Sequence, residues 1–268
     1  MSRIAACFKD LKGQGRKALI AFITAGDPHP HTTVPLMHAL VEAGADIIEL
    51  GVPFSDPMAD GPVIQRSSER ALVHGVRLGD CLAMVRTFRE QDKTTPVVLM
   101  GYLNPIEIMG YQTFSRDAQA VGVDGVLIVD MPPEEASDLR EALRAHRLDL
   151  VFLLAPTTSE ERIERICDAA SGFVYYVSLK GVTGSDKLDI EAVKERIARI
   201  RPYTDLPIGV GFGIKDPESA ARVASVGDAV IVGSALVERI GALARQPEGI
   251  EKEARSFVRA LRQAIDRI

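Results

Sequence analysis

No stretch of the 268 residues approaches the roughly 20 consecutive apolar residues that a membrane-spanning helix requires. The opening "MSRIAACFKDLKGQGRK" also lacks the unbroken apolar core of a signal peptide. Cysteine is scarce. Cys7, Cys81 and Cys167 are scattered and odd in number, which argues against a disulfide framework or a zinc site and for reduced thiols in the cytoplasm. The five histidines lack ligand spacing. The nearest pair, His29 and His31 in "GDPHPHTT", reads as solvated loop, so no metal is expected. A net charge of −5 offers no basic excess for nucleic acid or an anionic membrane, while a local anion pocket stays compatible with it. Tryptophan is absent, yet 46% hydrophobic residues are ordinary for a soluble globular protein with a sizeable core.

What the chain does have is alternation. Short runs rich in Val, Ile and Leu recur as "ALIAFIT", "DIIEL", "VVLMGY", "GVLIVD", "LVFLLA", "VYYVSL", "PIGVGFG" and "AVIVGSA". Such near-continuous apolar runs suit parallel strands covered on both faces, and most intervals, such as "DIEAVKERIARI" and "DPESAARVAS", read as amphipathic helices. A weak repeat joins "EAGADIIELG", "AVGVDGVLIVD" and "ASVGDAVIVG": a helix end, a glycine, an aspartate, then a strand. Gly44, Gly122 and Gly227 are expected just past helix C-termini. Eight such units in about 230 residues favour a closed (β/α)8 TIM barrel over an open doubly wound sheet. No linker divides the chain, so residues 1–268 read as one domain, with extra helices over Ser2 to Lys12 and from Gly249 onward.

Active sites of such barrels lie at the C-terminal ends of the strands. Strand alternation puts Ile47 and Glu49 on one face and Ile48 and Leu50 on the other. If Ile47 faces the barrel interior, so does Glu49, one step from the mouth. There, desolvation raises its pKa towards neutrality and suits it to proton transfer; the plainer alternative is a strand-end Glu paired with a basic residue. Asp60, before Gly61-Pro62, fits a helix N-cap and a second acid over the mouth equally well. Asp56, in "SDP", reads as a turn or interface residue.

"GVGFGIKDPES" and "IVGSALVERI" place glycines at strand ends just before helices, where backbone N–H groups and a helix N-terminus favour a phosphate dianion. Gly213, Gly233 and Ser234 are therefore phosphate candidates, at the loops after strands 7 and 8 that often serve this purpose. "SLKGVTGSDKLD" reads as a lid centred on Thr183 and Gly184. Lys180 in that loop, out of phase with the inward positions, is a poor Schiff-base lysine. Phe22, Met100, Leu127, Tyr175 and Phe212 lie near strand ends and would give a flat, apolar pocket.

In order along nearly the whole chain, "FITAGDP", "IIELGVPFSDPMADGPVIQ", "LIVDMPPEE", "LLAPTTS", "GVTG", "GFGI" and "GSALV" resemble the tryptophan synthase alpha subunit family. The resemblance implies a lyase of tryptophan biosynthesis that cleaves indole-3-glycerol phosphate to indole and glyceraldehyde 3-phosphate. It implies that Glu49 and Asp60 are catalytic, that Thr183 belongs to a closing lid, and that Gly213, Gly233 and Ser234 hold the phosphate. Phe22, Met100, Leu127 and Tyr175 would lodge the indole. No cofactor is implied in this chain. The implied partner is a beta subunit carrying pyridoxal phosphate, in an α2β2 heterotetramer, with "PFSDP" and "GYLNP" as contact surface. Leu179-Lys180 stands where many relatives have an Arg and a small residue, and Met100 and Val129 depart from the commonest residues. Two other readings of the site are a different phosphate-binding barrel aldolase using Lys180 and a mainly regulatory subunit.

Overall fold

The computed structural model describes residues 2–177, 190–211 and 213–268. Every apolar run becomes a strand: β1 (Ala18–Thr24), β2 (Ile47–Gly51), β3 (Val97–Gly101), β4 (Gly125–Ile128), β5 (Asp149–Leu154), β6 (Val174–Val177), β7 (Ile208–Gly211) and β8 (Ala229–Val232). They pair in chain order, and β1 pairs with β8 in parallel to close the barrel. The side-chain period of two divides the apolar residues between two cores. Ile20, Ile47, Val98 and Leu127 fill the barrel interior. Their neighbours Leu19, Ile48, Leu99 and Val126 pack against the surrounding helices. Both faces are thus buried, which is why these strands read as unbroken apolar runs.

One end of the interior is plugged. The helix Arg3–Gly13, expected from the opening segment, sends Ile4, Phe8 and Leu11 into the interior core, with Phe8 set 5.9 Å from Phe173. Ser2 caps that helix and donates a 2.7 Å hydrogen bond to Asp149, the first residue of β5. The plug therefore sits at the N-terminal ends of the strands. At the far end of the chain, helix Ile250–Ile265 buries Ala254, Phe257, Val258, Leu261 and Ile265, the spacing of one helical face, against helices Pro30–Glu42 and Pro217–Ala224.

The weak repeat has a physical cause. Asp46, Asp124 and Asp228 each precede an even-numbered strand and accept the first free N–H of the strand before it, from Leu19, Val97 and Ile208, at 2.8, 2.8 and 2.9 Å. Each also meets an arginine: Arg262 at 3.0 Å, Arg89 at 2.8 Å and Arg201 at 2.6 Å. Gly44 (φ +105°) and Gly122 (φ +91°) end helices in the left-handed region, as expected. Their missing side chains also leave room for the stems of Arg262 and Arg89, whose Cγ atoms lie 2.6 and 3.0 Å from where a Cβ would stand. Gly227 departs from the expectation. It does not have a positive φ, because the helix has already ended at Ser225; instead a Cβ there would stand 3.0 Å from Val210 Cγ2.

Among the described residues, no helix is long and apolar enough to cross a membrane, and no three His, Cys, Asp or Glu side chains are placed to hold a metal ion. The three cysteines are free thiols. His29 and His31 are exposed, and His29 caps helix Pro30–Glu42.

Candidate active site

Glu49 lies on β2 beside Phe22 of β1 and Val98 of β3, on the same strand face as Ile47. It is 1% exposed. Its Oε1 has no hydrogen-bond partner, and among the described residues no cation pairs with it, which removes the strand-end salt bridge. Burial alone pushes its carboxyl up to about 8.

Asp60 sits in the loop between β2 and helix Pro62–Leu72. Gly61, not Asp60, is the N-cap, so the aspartate side chain is free of the helix. It instead accepts a 3.0 Å hydrogen bond at Oδ2 from the Tyr102 hydroxyl, which itself accepts the Ala59 N–H at 2.9 Å. The Tyr102 ring stacks on Phe54 with centroids 4.9 Å apart. Gln65 Nε2 ties the same loop by donating to the carbonyls of Pro57 and Asp60. Burial raises the Asp60 pKa, and the tyrosine hydrogen bond pulls it part of the way back. Asp56 is exposed, bonded to its neighbour Ser55, and its carbonyl accepts the Met58 N–H as a turn residue would.

Tyr175, half-buried on β6, brings the two acids into one field. Its phenol is pushed well above the ordinary value, first by burial and then by the charges of Glu49 and Asp60. Glycines on neighbouring strands make room for the aromatic rings. A Cβ on Gly211 of β7 would stand 2.2 Å from the Tyr175 hydroxyl, and one on Gly51 of β2 would stand 2.6 Å from Phe22 Cζ.

Beside these groups opens a cleft lined by Phe22, Thr24, Gly51, Val52, Asp60, Ile64, Ser68, Met100, Gly101, Tyr102 and Val129. Of the expected pocket residues, Phe22 and Met100 line it, as does the candidate acid Asp60, while Tyr175 does not. Leu127 is fully buried in the interior layer and does not line it. Thr24, Ile64, Ser68 and Tyr102 are lining residues that the sequence did not single out. Tyr102 carried the clearest available signal, since it directly follows the last residue of β3.

Gly213, just after β7, has φ +77°, a left-handed backbone that glycine adopts freely. Gly233 is the N-cap of helix Ser234–Ala242, and a Cβ on it would lie 3.7 Å from Phe22, which puts this helix start next to the cleft. The first intrahelical bonds run from Leu236 and Val237 to Gly233 O, so the N–H groups of Ser234 and Ala235 point out of the helix end, where an anion is favoured. Ser234 is exposed. Thr183, Gly184, Lys180, Leu179 and Phe212 lie outside the described residues.

A profile of the family described as "Tryptophan synthase alpha chain" matches residues 8–266. A tryptophan synthase alpha chain from Thioalkalivibrio sulfidiphilus is 64% identical over 266 residues, covering 99% of this chain and 100% of that one. Tryptophan synthase subunit alpha from Legionella pneumophila superposes with a TM-score of 0.93 at 47% identity, covering 100% of both chains. An aminoacrylate-bound form of tryptophan synthase from M. tuberculosis contains a chain that superposes with a TM-score of 0.87 at 37% identity, covering 99% of this chain and 100% of that one.

Proposed function

The chain belongs to the tryptophan synthase alpha chain family, and we propose that Glu49 and Asp60 are the reacting carboxyls with which it cleaves indole-3-glycerol phosphate. The chain is the lyase of that family, releasing indole and glyceraldehyde 3-phosphate by a retro-aldol step in tryptophan biosynthesis. The observation that supports the roles is the contrast between the two acids: Glu49 is buried without a hydrogen-bond partner at Oε1, and Asp60 accepts a phenol proton. With its pKa raised to about 8, Glu49 enters the reaction protonated at neutral pH. It gives that proton to indole C3. The ring nitrogen then carries positive charge, and the Asp60 carboxylate stabilises its N–H. Glu49, now ionised, takes the glycerol hydroxyl proton as the C–C bond breaks and its electron pair returns to the ring. Indole and the aldehyde leave, and Glu49 is protonated again.

Gly213, Gly233 and Ser234 hold the phosphate, and this remote grip positions the reacting carbon. Phe22 and Met100, with Tyr175 beside them, enclose the indole. The steps use side chains alone and call for no cofactor in this chain. The whole chain acts as one cytoplasmic (β/α)8 domain that docks on a pyridoxal-phosphate beta subunit in an α2β2 tetramer. Two large apolar side chains support that docking: Met58, 87% exposed in the "PFSDPM" loop, and Ile108, 84% exposed on helix Leu103–Met109 after "GY".

The test is indole release from indole-3-glycerol phosphate by the purified chain, with and without a beta subunit; no release in either setting sinks the reading. Asp60→Asn should fold and lose roughly 10²–10⁴ in kcat/KM. Gly211→Ala should displace the Tyr175 ring and lower kcat/KM by about 10², the scale of an ångström-sized misplacement, with a crystal structure to show the moved ring.

A further inference from the structure

We propose that Tyr102 is a positioning residue for the cleavage reaction: one hydroxyl fixes both the place of the Asp60 carboxylate and its ionised state. The inference rests on the reading of Asp60 given above. Tyr102 Oη is 2.9 Å from the Ala59 nitrogen and 3.0 Å from Asp60 Oδ2. A backbone N–H can only donate, so it occupies an acceptor position of the hydroxyl. The phenol proton is then directed to Asp60, which must accept it. An Asp60 protonated on Oδ1 would still accept at Oδ2, but as a neutral and weaker acceptor than the carboxylate. The same hydroxyl therefore clamps two consecutive residues of the loop and favours the carboxylate form of the second.

Tyr102 is buried, its ring is stacked on Phe54 from the same loop, and the next residue, Leu103, donates its N–H to Asp130 Oδ1 at 2.9 Å. The phenol is thus held from the β3 side, the loop side and the β4 side. The charged and titratable groups around the pair are Glu49 on β2, Tyr175 on β6 and Asp130 beyond β4. None is a cation, so among the described residues the Tyr102 hydroxyl is the group that favours the Asp60 anion. Burial opposes it.

Tyr102→Phe keeps the ring and its stack and deletes only Oη. The acid limb of the kcat/KM profile should move to higher pH by about one unit, the scale of a lost hydrogen bond to a charged group. A carbon-13 titration of the Asp60 carboxyl should show the same upward move, and it reads Asp60 whether or not the variant turns over. Replacing Tyr102 by 3-fluorotyrosine, a stronger donor of nearly the same shape, should move both in the opposite direction and tests the idea even if Tyr102→Phe unfolds. A carboxyl titration that superposes on that of the wild type in either variant overturns the proposal. Failure of the Asp60 reading itself would appear differently, as an active Asp60→Asn enzyme.

Discussion

Glu49→Gln is expected to abolish turnover and, at the same time, to stabilise the fold. The catalytic loss follows from removing the group that gives and takes the proton, and general acid–base catalysis of this kind supplies roughly 10²–10⁴ in rate. The gain in stability follows from the site itself. A carboxyl with an ordinary value of 4.5 is pushed to about 8 by burial, so folding favours its protonated form. The cost is absent well below pH 4.5, grows as pH rises through that value, and is complete once pH passes about 8. At pH 7 that cost amounts to about 3 kcal/mol. Glutamine stays neutral at every pH, so it removes the cost, less about 1 kcal/mol for an amide donor buried without an acceptor. Unfolding in urea between pH 5 and 9 should show a stability that falls with pH in the wild type and a flatter curve in Glu49→Gln. Parallel curves would contradict the assigned environment. The same shift predicts that kcat/KM falls above about pH 8, where free Glu49 enters the cycle already ionised.

The barrel was legible because its strands are buried on both faces, which leaves runs such as "ALIAFIT" and "AVIVGSA" with no polar face to confuse them. The interior orientation of Glu49 followed from Ile47 by alternation, since a period of two leaves no third choice. Asp60 was not decidable in the same way. A residue before Gly-Pro at a helix start caps the helix in many proteins, and what draws its side chain away is a phenol 42 positions along the chain. Tyr102 was visible only as part of a contact segment, because its hydrogen bond to the loop requires the barrel to close. Gly211 carried no signal either, since the ring that needs its missing side chain, Tyr175, stands on the neighbouring strand. The fold locates a mouth with two acids; the substrate is named by the family.

The largest stability effect outside the mouth is expected at Asp124, in the plugged end of the barrel. Its side chain is 4% exposed and takes hydrogen bonds from Arg89 Nη2 at 2.8 Å, Arg3 Nη1 at 2.9 Å and the Val97 N–H at 2.8 Å. Asp124→Ala would leave the buried Arg89 guanidinium with only the more distant Asp92 carboxylate, at 3.8 Å, and the first N–H of β3 without an acceptor. Breaking one side of a buried pair typically costs about 3–5 kcal/mol. Arg89 keeps the carbonyls of Gly122 and Thr95, at 2.9 and 2.7 Å, which places the expected loss at the lower end. Asp228→Ala removes the same device from β7 and β8, but there the partner Arg201 is 42% exposed and the aspartate 35%. Water replaces what that ion pair loses, and about 1 kcal/mol is expected. Unfolding midpoints of the two variants should therefore differ clearly, although the sequence pattern around them is nearly the same. Equal losses would mean that the shared backbone hydrogen bond, not the buried charge, dominates. The Asp124 site lies at the end of the barrel opposite Glu49, so the fraction of Asp124→Ala that remains folded should cleave at the wild-type rate.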